Sequence, residues 1–422
     1  MDSLRIRGGI PLNGELCPGG SKNATLPILA ATLLSSGSVD IRNVPRVRDV
    51  TLMLELLDTL GAEIEVNGSD GVSVNTSRVH NLVAPYELVR RMRASFLVLG
   101  PLLARFGQVE VSLPGGCAIG SRPVDQHLKA LRKLGASIDL DQGYVTARSK
   151  DRLQGADIEF DVVTVGGTQN VMMAASLAQG TTRLRNVAME PEVVELAECL
   201  RSMGAHISGD GTECITIVGQ EQLHGGGCKV RADRIEVGTF LAAAAATHGS
   251  IRIVDCDPFV LNTVLETFQR FGTTIKTDES TIELSAQHGE LRATDIVTGV
   301  YPGIPTDLQA QFLALNCVSR GNSRVVETVF ENRFMHLQEL VRLGANASLE
   351  SPTIAVIQGV SKLRGAKVMA TDLRASSSLV IGALVADGMS QINRIYHLDR
   401  GYERIEEKLQ LLGADVERVR AN

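Results

Sequence analysis

Two kinds of apolar run alternate along this chain of 422 residues. One kind is apolar nearly all round and covers residues 26–34, 94–104, 170–178, 239–247, 310–318 and 377–386. A helix without a polar face is one buried on every side. The other kind is amphipathic, as in Leu52 to Leu60 and Leu128 to Leu134, with apolar residues at helical spacing on one side only. Each amphipathic run closes on an apolar residue, a glycine, usually an alanine, and then an extended segment: LGAEIEV, LGASIDL, MGAHISG, FGTTIKT, LGANASL and LGADVER.

The glycines of these junctions, at 61, 135, 204, 272, 344 and 413, are separated by 74, 69, 68, 72 and 69 residues. A second glycine series, at 37, 107, 180, 249, 321 and 388, follows the all-apolar runs with separations of 70, 73, 69, 72 and 67. Two independent series with one period predict six copies of a unit of about 70 residues, which together consume the whole chain. Glycine at a junction that ends a helix predicts the left-handed conformation there, which costs other residues energy. With the all-apolar helices inside, the strands must form the outer layer. This inverts the usual α/β arrangement, in which helices cover a buried sheet. Six small units must share cores, and two groups of three is the natural division, with a boundary suggested by the run Gly225, Gly226, Gly227. A single closed solenoid is the competing grouping.

Composition excludes several functions. The chain is 44% hydrophobic and 21% charged with mean hydropathy +0.08, the balance of a compact globular protein, and no apolar stretch approaches the roughly 20 residues that cross a bilayer. The first residues show no apolar signal region, so the expected location is the cytoplasm and no membrane partner is expected. Seven scattered cysteines without paired spacing read as reduced thiols rather than disulfides or a zinc site. A net charge of −6, no tryptophan and few aromatic residues argue against nucleic acid as a partner.

Charge is nevertheless concentrated at predicted helix starts: Lys22 and Asn23, Arg90, Arg91 and Arg93, Thr164, Asp307, and Arg374. The loops before the amphipathic helices add Arg46, Arg48 and Asp49, then Arg122, Asp125 and His127, then Glu190, Arg333, and finally His397, Asp399 and Arg400. A helix N-terminus carries unpaired N–H donors and about half a positive charge, so converging starts with added arginine would hold an anion. The segment LPGGCAIGSRPVDQH from Leu113 to His127 is longer than its counterparts, and its glycines 115, 116 and 120 flank Cys117. Such a loop presents a thiol and closes over a ligand, and Arg122 would favour the thiolate. Asp307, directly after Pro305-Thr306, is either a helix cap or a carboxylate aimed into a cationic cleft, where it would stay ionised and serve as a general base.

The motifs SKNATLPIL at 21, RRMRAS at 90, LPGGCAIGSRPVDQH at 113, PTDLQAQF at 305, ETVFENRFMH at 327, ATDLRAS at 370 and RIYHLDRGYERIEEKL at 394 carry a resemblance over the whole chain. The sequence resembles the UDP-N-acetylglucosamine 1-carboxyvinyltransferase family of enolpyruvyl transferases. The resemblance implies a two-domain inside-out α/β barrel of three units per domain. The first domain would span residues 22–230 and carry the Cys117 loop; residues 1–21 and 231–422 would form the second, with the active site in the cleft between them. It also implies transfer of the enolpyruvyl group of phosphoenolpyruvate to the 3′-hydroxyl of UDP-N-acetylglucosamine, the first committed step of peptidoglycan precursor synthesis. The route is addition and elimination through a tetrahedral intermediate, with release of phosphate and no metal or organic cofactor. These two small molecules are the implied partners, and nothing requires an oligomer.

By the same resemblance, Cys117 is the proton donor, able to form a covalent phosphoenolpyruvate adduct and open to alkylation by fosfomycin-type epoxides, and Asp307 takes the hydroxyl proton. Lys22, Arg122 and Arg400 match the grip on the phosphate of phosphoenolpyruvate, with Asn23 beside them and Arg333 and Arg374 toward its carboxylate. Asn23, Arg93, Arg122, Pro123, Val124, Asp125, Gln126, Thr164, Val165, Gly166, Asp307 and Val329 match the nucleotide-sugar contacts. One departure stands out: some members carry Lys-x-Ser-Val-Gly where this chain has Val162-Val163-Thr164-Val165-Gly166. The alternatives are a 5-enolpyruvylshikimate-3-phosphate synthase-like transferase, disfavoured by the Cys117 motif, and a non-catalytic nucleotide-sugar-binding relative.

Overall fold

A computed structural model describes residues 2–114 and 124–420, so Cys117, Arg122 and Pro123 lie outside the described residues. The all-apolar runs are buried helices. Every residue of Arg234–Ala246 is buried, and Gln309–Cys317 is buried throughout. The strands bury one face only. In Thr181–Arg185 the side chains of Thr182 and Leu184 point inward while those of Thr181, Arg183 and Arg185 are exposed, which follows from the two-residue period of a strand. Helices therefore form the inside and sheets the outside, as the apolar pattern predicts.

The chain divides into two units, one of residues 2–19 with 232–420 and the other of residues 20–114 with 124–231. Each unit has its own hydrophobic core. Among the described residues there are six four-stranded sheets, three to a unit. All six repeat one pairing scheme. In one of them Asp157–Glu159 runs parallel to Thr181–Arg185, which is antiparallel to Cys214–Val218, which in turn is antiparallel to His206–Ser208.

Each unit closes on itself by returning a distant strand. The glycine run suggested as a boundary is such a strand: Gly226–Lys229 pairs in parallel with Ser38–Arg42, and the units part a little later, between Arg231 and Ala232. Glycine is needed there for close approach rather than for a flexible link, since a Cβ on Gly225 would lie 2.5 Å from the Ser38 carbonyl oxygen. In the other unit Asn13–Leu16 pairs with Ser250–Val254, and Ser3–Arg7 lies between Met389–Asn393 and Asp415–Val419. The sixth copy of the repeat is thus completed by the first strand of the chain. Leu4 and Ile6 are fully buried in that strand, worth roughly 1.5–3 kcal/mol each.

The six junction glycines all take the left-handed conformation, with φ between 91° and 101°. The second glycine series is mixed. At Gly249 the left-handed residue is its neighbour His248, and Gly249 is excluded from bearing a side chain because a Cβ would lie 2.0 Å from the Leu12 carbonyl oxygen. Among the described residues no helix is long and apolar enough to cross a membrane.

Candidate active site

The residues singled out by sequence fall into two sets, one in each unit. In the unit of residues 2–19 and 232–420 the centre is Asp307, in the short 3-10 turn Thr306–Leu308 that leads into the buried helix Gln309–Cys317. Its carboxylate does not cap a helix. Arg333 donates from Nη2 to Oδ1 at 2.7 Å, and Arg374 donates from Nη2 to Oδ2 at 2.8 Å. The two arginine side chains are each only 4% exposed and that of Asp307 is 26% exposed, so two buried cations share one carboxylate that still reaches solvent. Burial by itself would lower the proton affinity of the Arg374 guanidinium, but the neighbouring charges, led by Asp307, raise it above its ordinary value. Arg374 is a fixed cation.

Surrounding polar groups hold this cluster. The helix Leu373–Val385 that presents Arg374 is capped by Asp372, whose Oδ1 accepts from the N–H groups of Arg374 and Ala375, each at 2.9 Å. Arg374 also donates to the Tyr402 hydroxyl at 3.4 Å, and Arg333 donates to the Thr306 hydroxyl at 2.7 Å. Thr306 in turn donates to Glu327 Oε2 at 2.8 Å, while Glu327 Oε1 accepts from the N–H of Val329 at 2.8 Å. One buried carboxylate therefore fixes both the Thr306 turn and the backbone at Val329. Gln311 donates to the Asp307 carbonyl oxygen at 3.0 Å and ties that turn to Thr239. Arg400 ends the 3-10 helix Ile395–Arg400, which packs on the Arg374 helix. Two imidazoles here have lowered proton affinity. His336 is pushed down to about 4 by burial, with Arg333 adding to the effect and Asp372 opposing it; His397 is lowered by burial and then by Arg400.

In the other unit, Lys22 opens the helix Lys22–Ala31 behind the cap Ser21, with Asn23 next to it. Its ammonium lies 3.4 Å from Asp49 Oδ2, in the first turn of the helix Arg48–Leu60, and the two side chains are 11% and 3% exposed. Arg93 begins the 3-10 helix Arg93–Val98. Val124 precedes the helix Asp125–Lys133, which carries Asp125 and Gln126 in its first turn. Gln126 donates to Asp161 Oδ2 at 3.0 Å and accepts from the Asp161 N–H at 3.0 Å. That reciprocal pair brings Asp125 and Gln126 beside the segment leading to Thr164, Val165 and Gly166. Thr164 caps the helix Val165–Ala175 by accepting from the Gly167 N–H at 3.2 Å. Val162, where some enolpyruvyl transferases carry lysine, is 60% exposed.

Each half presents helix starts and cations suited to anions. Among the described residues no group of three or more His, Cys, Asp or Glu is placed to share a metal ion. Sequence reasoning overlooked Thr306, Gln311, Glu327 and Tyr402. Their common signal is a polar residue inside or beside an otherwise apolar buried run, where an unpartnered polar group would be costly.

Comparison with known proteins is consistent along the whole chain. A family model for EPSP synthase (3-phosphoshikimate 1-carboxyvinyltransferase) matches residues 6–409. A UDP-N-acetylglucosamine 1-carboxyvinyltransferase from Halorhodospira halophila is 54% identical over 419 residues, covering 99% of this chain and 100% of the relative. Among solved structures, the enolpyruvyl transferase NikO from Streptomyces tendae superposes with a TM-score of 0.89 at 26% identity, over 100% of this chain and 99% of that one. EPSP synthase from Acinetobacter baumannii superposes with a TM-score of 0.77 at 16% identity, over 100% of both chains, and shares the fold.

Proposed function

The chain belongs to the enolpyruvyl transferase family, and from that premise we propose that it transfers the enolpyruvyl group of phosphoenolpyruvate to the 3′-hydroxyl of UDP-N-acetylglucosamine, releasing phosphate. The observation that carries the reading is the full-length 54% identity to the Halorhodospira halophila enzyme. The cluster of Asp307 with Arg333 and Arg374 supplies a carboxylate base and two fixed cations for an anionic substrate.

The chemistry assigns a task to each group. Cys117 gives its proton to the methylene carbon of phosphoenolpyruvate, leaving the adjacent carbon cationic. The sugar hydroxyl attacks that carbon and its proton passes to Asp307, which yields a tetrahedral ketal. Loss of phosphate, with a proton leaving the new methyl group, restores the double bond. Lys22, Arg122 and Arg400 neutralise the departing phosphate, with Asn23 beside them. Arg333 and Arg374 orient the carboxylate; bidentate guanidinium suits both anions. Asn23, Arg93, Arg122, Pro123, Val124, Asp125, Gln126, Thr164, Val165, Gly166 and Val329 hold the nucleotide sugar.

The ion pairs of Asp307 give this scheme a charge logic. In the free protein two guanidiniums share the Asp307 carboxylate. A substrate carboxylate arriving on the same guanidiniums adds a like charge next to Asp307, which raises its affinity for a proton and so makes it a stronger base when the hydroxyl is in place. On this reading the protein acts at the first committed step of peptidoglycan precursor synthesis, in the cytoplasm.

The test is phosphate release from phosphoenolpyruvate with UDP-N-acetylglucosamine or shikimate 3-phosphate as acceptor. Release that requires the nucleotide sugar is expected. Release driven by shikimate 3-phosphate instead would replace this reading with that of a 5-enolpyruvylshikimate-3-phosphate synthase.

A further inference from the structure

We propose that Arg418, on the last strand of the chain, is a positioning residue for the phosphate of phosphoenolpyruvate: its guanidinium clamps Asp399 and Glu406 and so fixes the segment between them, which carries Arg400 and Tyr402. The inference rests on the assignment of Arg400 to the phosphate under the reading above, and it adds a residue that none of the recognised motifs contains.

In the strand Asp415–Val419, Val416 is buried while Asp415 and Glu417 are exposed, so the two-residue period turns Arg418 to the inner side with Val416. From there it reaches back along the chain. Its Nη1 and Nη2 donate to Asp399 Oδ2 and Oδ1 at 3.1 and 2.7 Å, and its Nε and Nη2 donate to Glu406 Oε1 and Oε2 at 2.5 and 3.1 Å. Each carboxylate is thus gripped by two N–H groups, and a third carboxylate, that of Asp2, lies 3.8 Å from Nη1. The planar fork of a guanidinium suits such paired grips, which the point charge of an ammonium does not reproduce. The bond to Asp399 raises the proton affinity of Arg418 above its ordinary value; burial opposes this and the bond to Glu406 adds to it.

What the clamp encloses gives it a function. Asp399 immediately precedes Arg400 in the 3-10 helix Ile395–Arg400, and Glu406 lies in the first turn of the helix Ile405–Leu411. The segment between them is not relaxed: Arg394 before it and Arg404 within it hold φ of 59° and 45°, a left-handed backbone that costs residues with side chains energy and persists where the surroundings enforce it. Gly401 fits closely against the start of the helix that presents Arg374, since a Cβ there would lie 2.8 Å from Leu373 Cδ2. Tyr402 is 2% exposed, and its hydroxyl meets that of Thr239 at 2.9 Å and accepts from Arg374 Nη1 at 3.4 Å. One short segment therefore joins the cation assigned to the phosphate with the cation assigned to the carboxylate, and a single guanidinium from the end of the chain holds it from both sides. Arg418 acts through Asp399 on the neighbouring Arg400, where a displacement of about 1 Å is enough to cost two orders of magnitude in rate.

Two variants test the clamp from opposite sides. Arg418→Lys keeps the charge and loses the forks, while Asp399→Asn leaves Arg418 in place and weakens one grip. In each, kcat/KM for phosphoenolpyruvate should fall on the order of 10- to 100-fold, chiefly through KM, while the KM for UDP-N-acetylglucosamine holds. Inhibition by inorganic phosphate should weaken in step, because phosphate lacks the carboxylate and reads the Arg400 end alone. The double variant should be no worse than the more impaired single one, since both break the same clamp. Full activity in Arg418→Lys, additive losses in the double variant, or equal rises in both KM values would overturn the proposal. A lowered melting temperature with both KM values at the wild-type level would also overturn it, by assigning the clamp to stability alone. Should Arg418→Lys not fold, the same split of KM values in Asp399→Asn decides the matter. Arg400→Ala keeps the two readings apart: an unchanged KM for phosphoenolpyruvate there would overturn the assignment of Arg400 and the clamp with it, whereas a raised KM in Arg400→Ala with none in Arg418→Lys would overturn the clamp only.

Discussion

Replacing Asp307 by Asn separates the two tasks that the structure gives this carboxylate. The substitution keeps shape but removes the charge shared by Arg333 and Arg374, whose side chains are each 4% exposed. Breaking a fully buried pair costs about 3–5 kcal/mol; Asp307 reaches solvent and an amide oxygen still accepts, so a loss of about 2–3 kcal/mol is the reasonable magnitude. Turnover should fall by about 10²- to 10⁴-fold as the general base disappears. Binding of phosphoenolpyruvate should move the other way. Two carboxylates about 5 Å apart at an effective dielectric constant of about 20 repel by about 3 kcal/mol, and discounting for solvent leaves about 1–2 kcal/mol, or roughly 5- to 30-fold tighter binding to the variant. Calorimetric titration with phosphoenolpyruvate in the presence of UDP-N-acetylglucosamine reads the affinity, and phosphate release reads the rate. A thermal melt with and without phosphoenolpyruvate should show a larger ligand-induced rise in the variant than in the wild type, since a ligand stabilises in proportion to how far it saturates the folded state. Weaker binding of phosphoenolpyruvate to Asp307→Asn, or wild-type turnover, would refute the view that substrate and Asp307 share the two guanidiniums.

Other expectations follow from single sites. Cys117→Ala should abolish turnover with an unchanged melting curve, whereas Cys117→Asp, which can still donate a proton, should retain activity and resist a fosfomycin-type epoxide; inactivation of both wild type and Cys117→Asp at equal rates would remove the thiol as the target. Glu195 is 6% exposed and its carboxyl is pushed up to about 7, chiefly by burial, against the accepted hydrogen bond from the Arg231 N–H at 2.9 Å. A folded value above the unfolded one means that its contribution is full below about pH 4.5 and is lost as pH rises through about 7, a loss of about 3 kcal/mol. Glu195→Gln should remove that loss, so denaturant melts at pH 5 and pH 8 should differ less for the variant than for the wild type. Gly413→Ala isolates the repeat's backbone requirement, because φ is +91° and nothing lies within 4 Å of the added methyl; it should cost about 1–2 kcal/mol in a denaturant melt, and a neutral effect would contradict the strain argument.

How far the sequence could carry the reading depended on whether a feature was local and repeated. The junction glycines fall at a regular period and all adopt the backbone geometry that a helix end requires, so a property of single residues became visible six times over. The all-round apolar character of Arg234–Ala246 implied burial before any partner was known. Motifs such as PTDLQAQF and ATDLRAS marked Asp307 and Arg374 but left open whether Asp307 capped a helix. Only the folded unit decides that, by bringing two guanidiniums from distant segments onto its carboxylate.

Tertiary structure also decided the roles of residues whose partners lie far along the chain. The run Gly225 to Gly227 suggested a boundary between domains, yet Gly226 and Gly227 open a strand, because a returning backbone must pass close to Ser38. The resemblance assigned residues 1–21 to the second domain, but only the fold pairs Ser3–Arg7 with the strands of the last repeat, since strand pairing is specified by a partner nearly the whole chain away. Asp399 and Glu406 were two carboxylates of one motif until Arg418, outside every motif, met both. Periodicity and composition act through neighbours along the chain and are written in the sequence. Ion pairs and strand exchange arise from groups that meet only once the chain has folded.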